Sequence, residues 1–228
     1  MTETHPDRVQ FSYWTDPLCI WAFVAQSRLE RILSVHTDQL AVEYRVVPVF
    51  DSVPWRFREG PWKDAGVEGR IDATRRVARE FGHEDVSGRC WATATPTSSW
   101  GPGAAIKAVF ALEVAGDVEA GAGAAYQVAL RRAFFVDERN ICHRDTQLEL
   151  AEAQSLPRAS IETQLDDGSA LAALCEDNRR KEALRIQGSP TYVFADGRAQ
   201  LYGNFPFEVL EATVEALTSG AEPRGSNC

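Results

Sequence analysis

Asp16-Pro17-Leu18-Cys19-Ile20-Trp21-Ala22 sets a single cysteine at the point where a strand gives way to a helix. On its N-terminal side, Val9-Gln10-Phe11-Ser12-Tyr13-Trp14 is rich in aromatic and apolar residues and reads as a buried strand, closed by Thr15-Asp16 and Pro17. On its C-terminal side, Trp21, Val24, Ala25, Leu29, Ile32 and Leu33 recur at three- and four-residue intervals, which is the apolar face of a helix. Cys19 therefore falls in or just before the first helical turn. Unpaired N–H groups and the helix dipole favour an anion there, which predicts a thiol pKa below the free value of about 8.5. A cysteine in this place can also be a small buried packing residue, and placement alone does not choose between the two. Three residues on stands Ala22. A Cys-x-x-Cys pair attacks a disulfide with its first thiolate and resolves the mixed disulfide with its second, so this chain offers a nucleophile without a resolver.

The C-terminal quarter supplies the complement. Ala183-Leu184-Arg185-Ile186-Gln187 reads as the end of a helix and is followed by Gly188-Ser189-Pro190-Thr191 and the apolar run Tyr192-Val193-Phe194-Ala195. Asp196-Gly197 is a two-residue hairpin signal, with Arg198-Ala199-Gln200-Leu201-Tyr202 returning as the partner strand. A last helix starts near Pro206 and carries Val209, Leu210, Val214 and Leu217 on one face. Strand, helix and strand at the front, with helix, hairpin and helix at the back, make an α/β thioredoxin fold.

The Asp16 to Ala22 motif and the Gly188-Ser189-Pro190-Thr191 motif resemble the two halves of the active site in DsbA/FrnE-like thioredoxin-fold proteins. That group also includes the 2-hydroxychromene-2-carboxylate isomerases and the kappa-class glutathione transferases, and the resemblance spans nearly the whole chain. It implies that Pro190 is cis, with Ser189 before it, and lies against the Cys19 thiol. It also implies that the backbone preceding Pro190 pairs with a peptide or thiol substrate. The pair of motifs is specific for the fold and the general site; it does not specify the reaction.

Between the two halves lies a mostly helical insertion. The resulting division is a discontinuous thioredoxin-like domain, 1–55 and 185–228, with an inserted helical domain, 56–184. Val42-Glu43-Tyr44-Arg45-Val46-Val47-Pro48-Val49 reads as the second strand. Helices are predicted over 70–81, 104–115, 126–136 and 144–153, and Leu156-Pro157 precedes two more up to Gln187. Residues 93–103 read as a small-residue loop. The insertion resembles the helical domain that lids the thiol site in this family, and it can equally serve only to stabilise the sheet.

The 228 residues are 44% hydrophobic and 25% charged, enough to bury a sizeable core. Twenty-four basic against thirty-three acidic residues give a net charge of −9, which disfavours a nucleic-acid partner. Met1-Thr2-Glu3-Thr4-His5-Pro6-Asp7 lacks the basic-then-apolar pattern of a secretory signal, and no apolar run is long enough to cross a bilayer, so a cytoplasmic location and no membrane partner are expected. Cysteines at 19, 90, 142, 175 and 228 follow no regular spacing, which predicts thiols rather than a disulfide framework. The histidines and cysteines show no metal-ligand spacing, so no metal is expected.

Weaker candidates surround this core reading. Cys142-His143 could pair as thiolate and base, but adjacent helical side chains point apart. Arg131-Arg132 and Arg179-Arg180-Lys181 read as solvated helix faces, or as binders of carboxylates or phosphates on an acyl carrier or thiol cofactor. Trp21 neighbours the nucleophile, while Trp55, Trp62, Trp91 and Trp100 fall in loop-like stretches. Such rings usually cap a core, but several facing one cleft would suit a flat, conjugated, apolar ligand. Cys19 is thus the candidate catalytic residue, with Trp21, Ala22, Ser189, Pro190 and Trp100 as candidate substrate contacts.

Two chemistries fit a lone nucleophile. In one, Cys19 thiolate adds reversibly to an electron-poor double bond, the bond rotates, and elimination returns the other geometric isomer. This resembles the logic of the chromene-carboxylate isomerases, except that those enzymes use a serine to hold a glutathione thiolate whereas this chain offers its own sulfur. In the other, Cys19 forms a mixed disulfide with glutathione or mycothiol and a second thiol molecule resolves it, as in monothiol oxidoreductases and mycothiol-dependent nitroreductase-like relatives. A non-catalytic binding module is disfavoured by the retained motifs. The first chemistry is preferred, because Ala22 removes the direct disulfide route and Ile20, Trp21, Ala22 and Phe23 suggest an apolar mouth. It implies no cofactor beyond a glutathione or mycothiol co-substrate, and a small-molecule or carrier-bound conjugated acyl substrate. A homodimer is compatible with the sequence.

Overall fold

The computed structural model describes residues 8–218, so the N-terminal segment 1–7 and Cys228 lie outside the described residues. Strand β1 (Val9–Thr15) leads through the cysteine motif into helix α1 (Ile20–Val35), and β2 (Leu40–Val46) returns parallel to β1. Near the C-terminus, β3 (Thr191–Phe194) and β4 (Ala199–Tyr202) form an antiparallel hairpin, followed by the last helix, Phe207–Thr218. The sheet order is β2-β1-β3-β4, with β1 antiparallel to β3. The fold is the mixed α/β thioredoxin architecture expected from the order of elements.

β1 is central and flanked on both sides, and its C-terminal half is buried throughout: Tyr13, Trp14 and Thr15 are fully enclosed. Its odd positions Phe11 and Tyr13 meet Leu29 and Ile32 of α1, and Phe207, Leu210 and Val214 of the last helix. Cross-strand aromatic pairs reinforce the register, with Phe11 stacked on Phe194 at 5.1 Å and Tyr13 tilted on Tyr192 at 5.0 Å. Trp14 points to the opposite face with Val47, Ile186 and Val193.

Between β2 and β3 run α2 (Val53–Arg58), α3 (Gly66–Glu80), the short α4 (Cys90–Thr93), α5 (Trp100–Ala115), α6 (Ala122–Phe135), α7 (Arg144–Glu152), α8 (Arg158–Asp166) and α9 (Ser169–Ala183); the C-terminal helix is α10. One apolar core joins this helical region to the start of α1, because Leu18, Ile20, Phe23 and Val24 pack with residues of α3 to α6. A buried ion cluster ties the same region to the sheet. Asp177 of α9, with no solvent exposure, accepts from Arg45 of β2 (2.7 Å), Lys107 of α5 (2.8 Å) and the Val46 N–H (3.0 Å). Gly103 lets α5 approach closely there, since a Cβ would stand 3.1 Å from Leu174 and 3.2 Å from Val46.

Helices α3 and α6 each begin four residues earlier than the sequence reading, at Gly66 and Ala122, and three other boundaries differ for local reasons. β2 ends at Val46 rather than Val49, because Pro48 has no N–H to continue the ladder. α5 starts at Trp100, inside the segment expected to be a loop: the Ser98 hydroxyl accepts the Trp100 N–H at 3.1 Å, and Pro102 occupies the first turn, where its missing donor costs nothing. The β3–β4 connection is not a two-residue turn. Phe194 pairs with Ala199, and residues 195–197 form a 3₁₀ turn in which Ala195 (φ 48°) and Gly197 (φ 100°) are left-handed.

Asp177→Ala should lower the unfolding free energy by about 3–5 kcal/mol, because Lys107 is left without its partner and Arg45 keeps only the exposed Glu43. Asp166→Ala, which breaks the exposed pair with Arg144, should cost at most about 1 kcal/mol. Urea denaturation of the two variants measures the contrast.

Candidate active site

Cys19 is the residue immediately before α1, with extended backbone (φ −88°, ψ 113°), and its carbonyl accepts the Phe23 N–H at 3.1 Å. Two hydrogen bonds join its loop to the distant Ser189. The Cys19 thiol donates to the Ser189 carbonyl at 3.2 Å, and the Asp16 N–H donates to the Ser189 hydroxyl oxygen at 2.9 Å. The Ser189–Pro190 peptide bond is cis. Gly188 makes room for this loop under β4, where a Cβ would stand 2.9 Å from the Tyr202 hydroxyl.

Asp16 organises the other side. Its buried carboxylate accepts the Leu18 N–H at 2.7 Å through one oxygen, and the Val49 and Phe50 N–H groups at 2.6 and 3.2 Å through the other. Ser99, at the entry to α5, holds Phe50 from behind: its N–H donates to the Phe50 carbonyl at 2.9 Å. Burial pushes the Asp16 carboxyl up to about 6, even though hydrogen bonds from Ser99, Leu18, Phe50 and Val49 act in the opposite direction.

The expectation of a lowered thiol pKa at Cys19 is not met. Only 6% of the residue is exposed, and desolvation raises the thiol above its ordinary value, with the Asp16 charge adding to the rise. The Ser189 hydroxyl, the Ala22 N–H and the Arg131 cation pull it back, but burial dominates. The dipole argument treated the helix start as solvated, whereas the inserted helices cover it.

Ala22 lies beside the sulfur, its methyl fully buried and its N–H facing the thiol. Ile20 and Phe23 belong to the core as well, because α1 packs against helices along this side, so the expected apolar mouth is not formed by this tetrapeptide. Trp21 alone remains 42% exposed, edge-on to Phe81 at 6.1 Å. Trp100 lies elsewhere, lining with Trp55, Val49, Arg56, Lys181 and Gln187 a surface groove of about 460 Å³ beside the loop that carries Ser189 and Pro190. Trp62 and Trp91 form an inner wall with Phe50, at 5.6 Å (Phe50–Trp62), 5.9 Å (Phe50–Trp91) and 5.2 Å (Trp62–Trp91) between centroids. The four tryptophans thus divide into a groove pair and a pair packed on Phe50.

Arg131 does not lie on a solvated helix face. It is 2% exposed, reaches from α6 to the Thr15 hydroxyl and, at 3.5 Å, to Gln26 Oε1, and its charge acts on Cys19, Asp16, Tyr13 and Tyr44. The available sequence signal was its place on the apolar stripe of α6 between Gln127, Leu130 and Phe134. Cys142 donates to the Ser98 carbonyl at 3.1 Å, a packing contact at the α5 entry. Among the described residues no cluster of three or more His, Cys, Asp or Glu side chains is placed to hold a metal, and no helix is long and apolar enough to cross a membrane.

No family model and no curated protein sequence matches the chain. Solved structures do. A probable DsbA oxidoreductase from Streptomyces coelicolor is similar at TM-score 0.71 and 21% identity, covering 95% of this chain and 92% of that one. The fold is DsbA-like. The cytosolic disulfide reductase DsbM from Pseudomonas aeruginosa is similar at TM-score 0.66 and 23% identity, over 90% of this chain and 98% of its own. A 2-hydroxychromene-2-carboxylate isomerase is similar at 0.63 and 16%, over 91% and 95%. The thioredoxin scaffold with inserted helices is therefore shared with both thiol oxidoreductases and an isomerase.

Two outcomes follow from the electrostatics. Iodoacetamide alkylation of Cys19, followed across pH by peptide mass spectrometry, should titrate above the free-thiol value of about 8.5. For Asp16, a folded pKa above the ordinary carboxyl value means that its stabilising contribution is complete at low pH and is lost as pH rises through about 6. The stability of the wild type relative to Asp16→Asn should accordingly fall by about 3 kcal/mol between roughly pH 4 and pH 7. At every pH the Asn amide should cost stability by facing the Val49 and Phe50 donors, and urea titrations at several pH values read both effects.

Proposed function

We propose that the protein is a cysteine-dependent enzyme in which the Cys19 thiolate adds reversibly to a conjugated, apolar substrate and interconverts the geometric isomers of a C=C bond. The observation that carries this reading is the lone nucleophile: the position of a resolving thiol is taken by the buried methyl of Ala22, and Cys19 is a free thiol. A cycle of addition and elimination needs one sulfur and no change of oxidation state.

The thiol releases its proton to solvent and the thiolate attacks the β-carbon of the conjugated system, forming a C–S bond as the π electron pair moves onto the carbonyl oxygen. The former double bond is now single and rotates. The electron pair returns, the C=C bond re-forms in the other geometry, and the C–S bond breaks to release thiolate, which regains its proton. The Ala22 N–H and the Ser189 hydroxyl face the sulfur and can stabilise it in its charged form.

A second reading, monothiol exchange with glutathione or mycothiol, is favoured by a different observation. DsbM from Pseudomonas aeruginosa, solved with GSH, is similar to this chain at TM-score 0.64 and 21% identity.

Chromatography of the isomer ratio of a cinnamoyl or polyenoyl thioester, without added thiol, separates the two. Wild type should equilibrate the isomers; Cys19→Ser should lose the activity by at least about a hundredfold, because a hydroxyl is far less ionised than a thiol. Ala22→Cys should impair it by trapping Cys19 as a disulfide in air and restore it under reductant. Turnover that requires and stoichiometrically consumes glutathione or mycothiol would replace the isomerase with the exchange enzyme.

A further inference from the structure

A trough of about 490 Å³ lies on α1, between Phe81 at the end of α3 and residues 204–208 at the start of α10. Arg28 and Arg31 enter it from α1. The Arg28 guanidinium lies 4.8 Å from the Phe81 ring centroid, and that of Arg31 lies 3.7 Å from the Phe207 centroid. One nitrogen of Arg28 donates to the Val24 carbonyl at 3.3 Å and to Asn204 Oδ1 at 2.9 Å. A guanidinium only donates, so the Asn204 atom that faces it is the amide oxygen, and the other arm of the amide is fixed by the same contact. That arm, Nδ2, is buried and has no acceptor. Among the described residues neither arginine forms an ion pair, and Glu208, the one carboxylate on the lining, joins neither.

The other unpaired arginines are placed differently. Arg70 stacks on Trp62 and Trp91, at 4.4 and 4.7 Å, and Arg56 on Phe50 at 5.1 Å, within the aromatic cluster itself. Arg28 and Arg31 are instead pinned by rings on the two sides of an open trough, which fixes two donor forks at its walls. The first N–H groups of α10, at the same place, have no intrahelical acceptors and favour an anion. An unbroken line of contacts joins the trough to the nucleophile. The Cys19 thiol donates to the Ser189 carbonyl at 3.2 Å, the carbonyl of the next residue, Pro190, accepts the Gly203 N–H at 2.9 Å, and Asn204 follows Gly203. On the other side Trp21 meets Phe81, the ring beneath Arg28, at 6.1 Å.

We propose that Arg28, Arg31 and Asn204 form a phosphate-binding subsite, and that the phosphate belongs to the far end of a pantetheine handle on which the conjugated acyl group reaches Cys19. Donors that converge from two helices and a turn suit a tetrahedral group with several acceptor oxygens better than a planar carboxylate. The spacing argues for a handle. Arg28 stands nine residues after Cys19, roughly 13 Å along the helix axis. A carboxylate conjugated with the reacting double bond lies beside the sulfur and cannot span that gap, whereas a thioester on pantetheine carries its phosphate beyond two amide units. The assignment rests on the reading of Cys19 as the nucleophile toward a conjugated acyl substrate, yet it concerns binding and is tested apart from turnover. The phosphate is common to a coenzyme A ester and to the arm of a carrier protein.

The probes are the cinnamoyl thioesters of pantetheine, 4′-phosphopantetheine and coenzyme A, with affinity read by isothermal calorimetry on the Cys19→Ser protein. The phosphopantetheine ester should bind at least tenfold more tightly than the pantetheine ester, and the ratio should shrink as sodium chloride is raised. Arg31→Met, at an exposed position, should bring the ratio to within about threefold of one, and Arg31→Lys should restore part of it. Asn204→Ala should reduce it independently. Coenzyme A ester tighter than the phosphopantetheine ester upholds the subsite with the free coenzyme as the source; equal affinity of those two upholds it with a carrier arm. Equal binding of the pantetheine and phosphopantetheine esters, or a preference that survives Arg31→Met and Asn204→Ala, overturns the subsite. Displacement of the pantetheine and phosphopantetheine esters alike by glutathione also overturns it. A phosphate preference in a wild type that isomerises none of the three esters upholds the subsite and discards the isomerase, while isomerisation without the preference does the reverse.

Discussion

The buried carboxylate of Asp16 is the constraint on which the site depends. It accepts three backbone N–H groups from two separate segments, Leu18 in the cysteine loop and Val49 and Phe50 after β2, and its own N–H is anchored on Ser189. A buried, unsatisfied backbone donor costs about 1–3 kcal/mol, so removing this acceptor would loosen both loops at once. The carboxylate that satisfies them is itself costly to charge, as its pKa of about 6 records. The fold retains a group that is uncomfortable when ionised because no neutral side chain of that size accepts from both sides.

The nucleophile is held protonated mainly by its own burial, and a negative Asp16 adds to the effect. Arg131 acts against both, and it arrives from α6, in the segment between β2 and β3. The same segment supplies Ser99, which fixes Phe50, and the wall of Trp62 and Trp91 with its two arginines. The inserted helices therefore do more than cover the sheet: they also bring the Arg131 cation that acts on the sulfur.

What could be read from the sequence follows the range of the interactions. The strands, α1 and the hairpin order were legible because their signals are local, an aromatic and apolar run in β1 and three-to-four spacing in α1. The Cys19 and Ser189-Pro190 motifs were legible as a pair through resemblance, and the cysteine thiol and the Ser189 carbonyl do meet. The start of α5 was not, since Gly101-Pro102-Gly103 reads as a loop until Gly103 is seen against Leu174 and Val46. Nor was the thiol's electrostatics. A helix start in isolation lowers a thiol pKa, and only the three-dimensional cover of the insertion reverses the sign. Arg56 and Arg70 carried no spacing signal, because their significance lies in what they contact, whereas Arg131 was marked only by its place on the buried stripe of α6.

A raised thiol pKa bears differently on the two chemistries open to a lone cysteine. Reduced ionisation slows the first attack in either case, although each thiolate formed is the stronger nucleophile for having the higher pKa. The routes diverge at release. A mixed disulfide is opened by a second thiol attacking sulfur, and Cys19 at this depth, 6% exposed, restricts the approach of any external thiol while Ala22 supplies none internally. Elimination of a thioether adduct needs no second molecule. It requires the sulfur to leave with its electron pair, and the groups facing it, the Ala22 N–H, the Ser189 hydroxyl and the Arg131 charge, all act to stabilise that departing thiolate. A site that is dry, has one sulfur and is lined by donors around it is better matched to a bond that forms and breaks at the same atom than to one that must be handed to a partner.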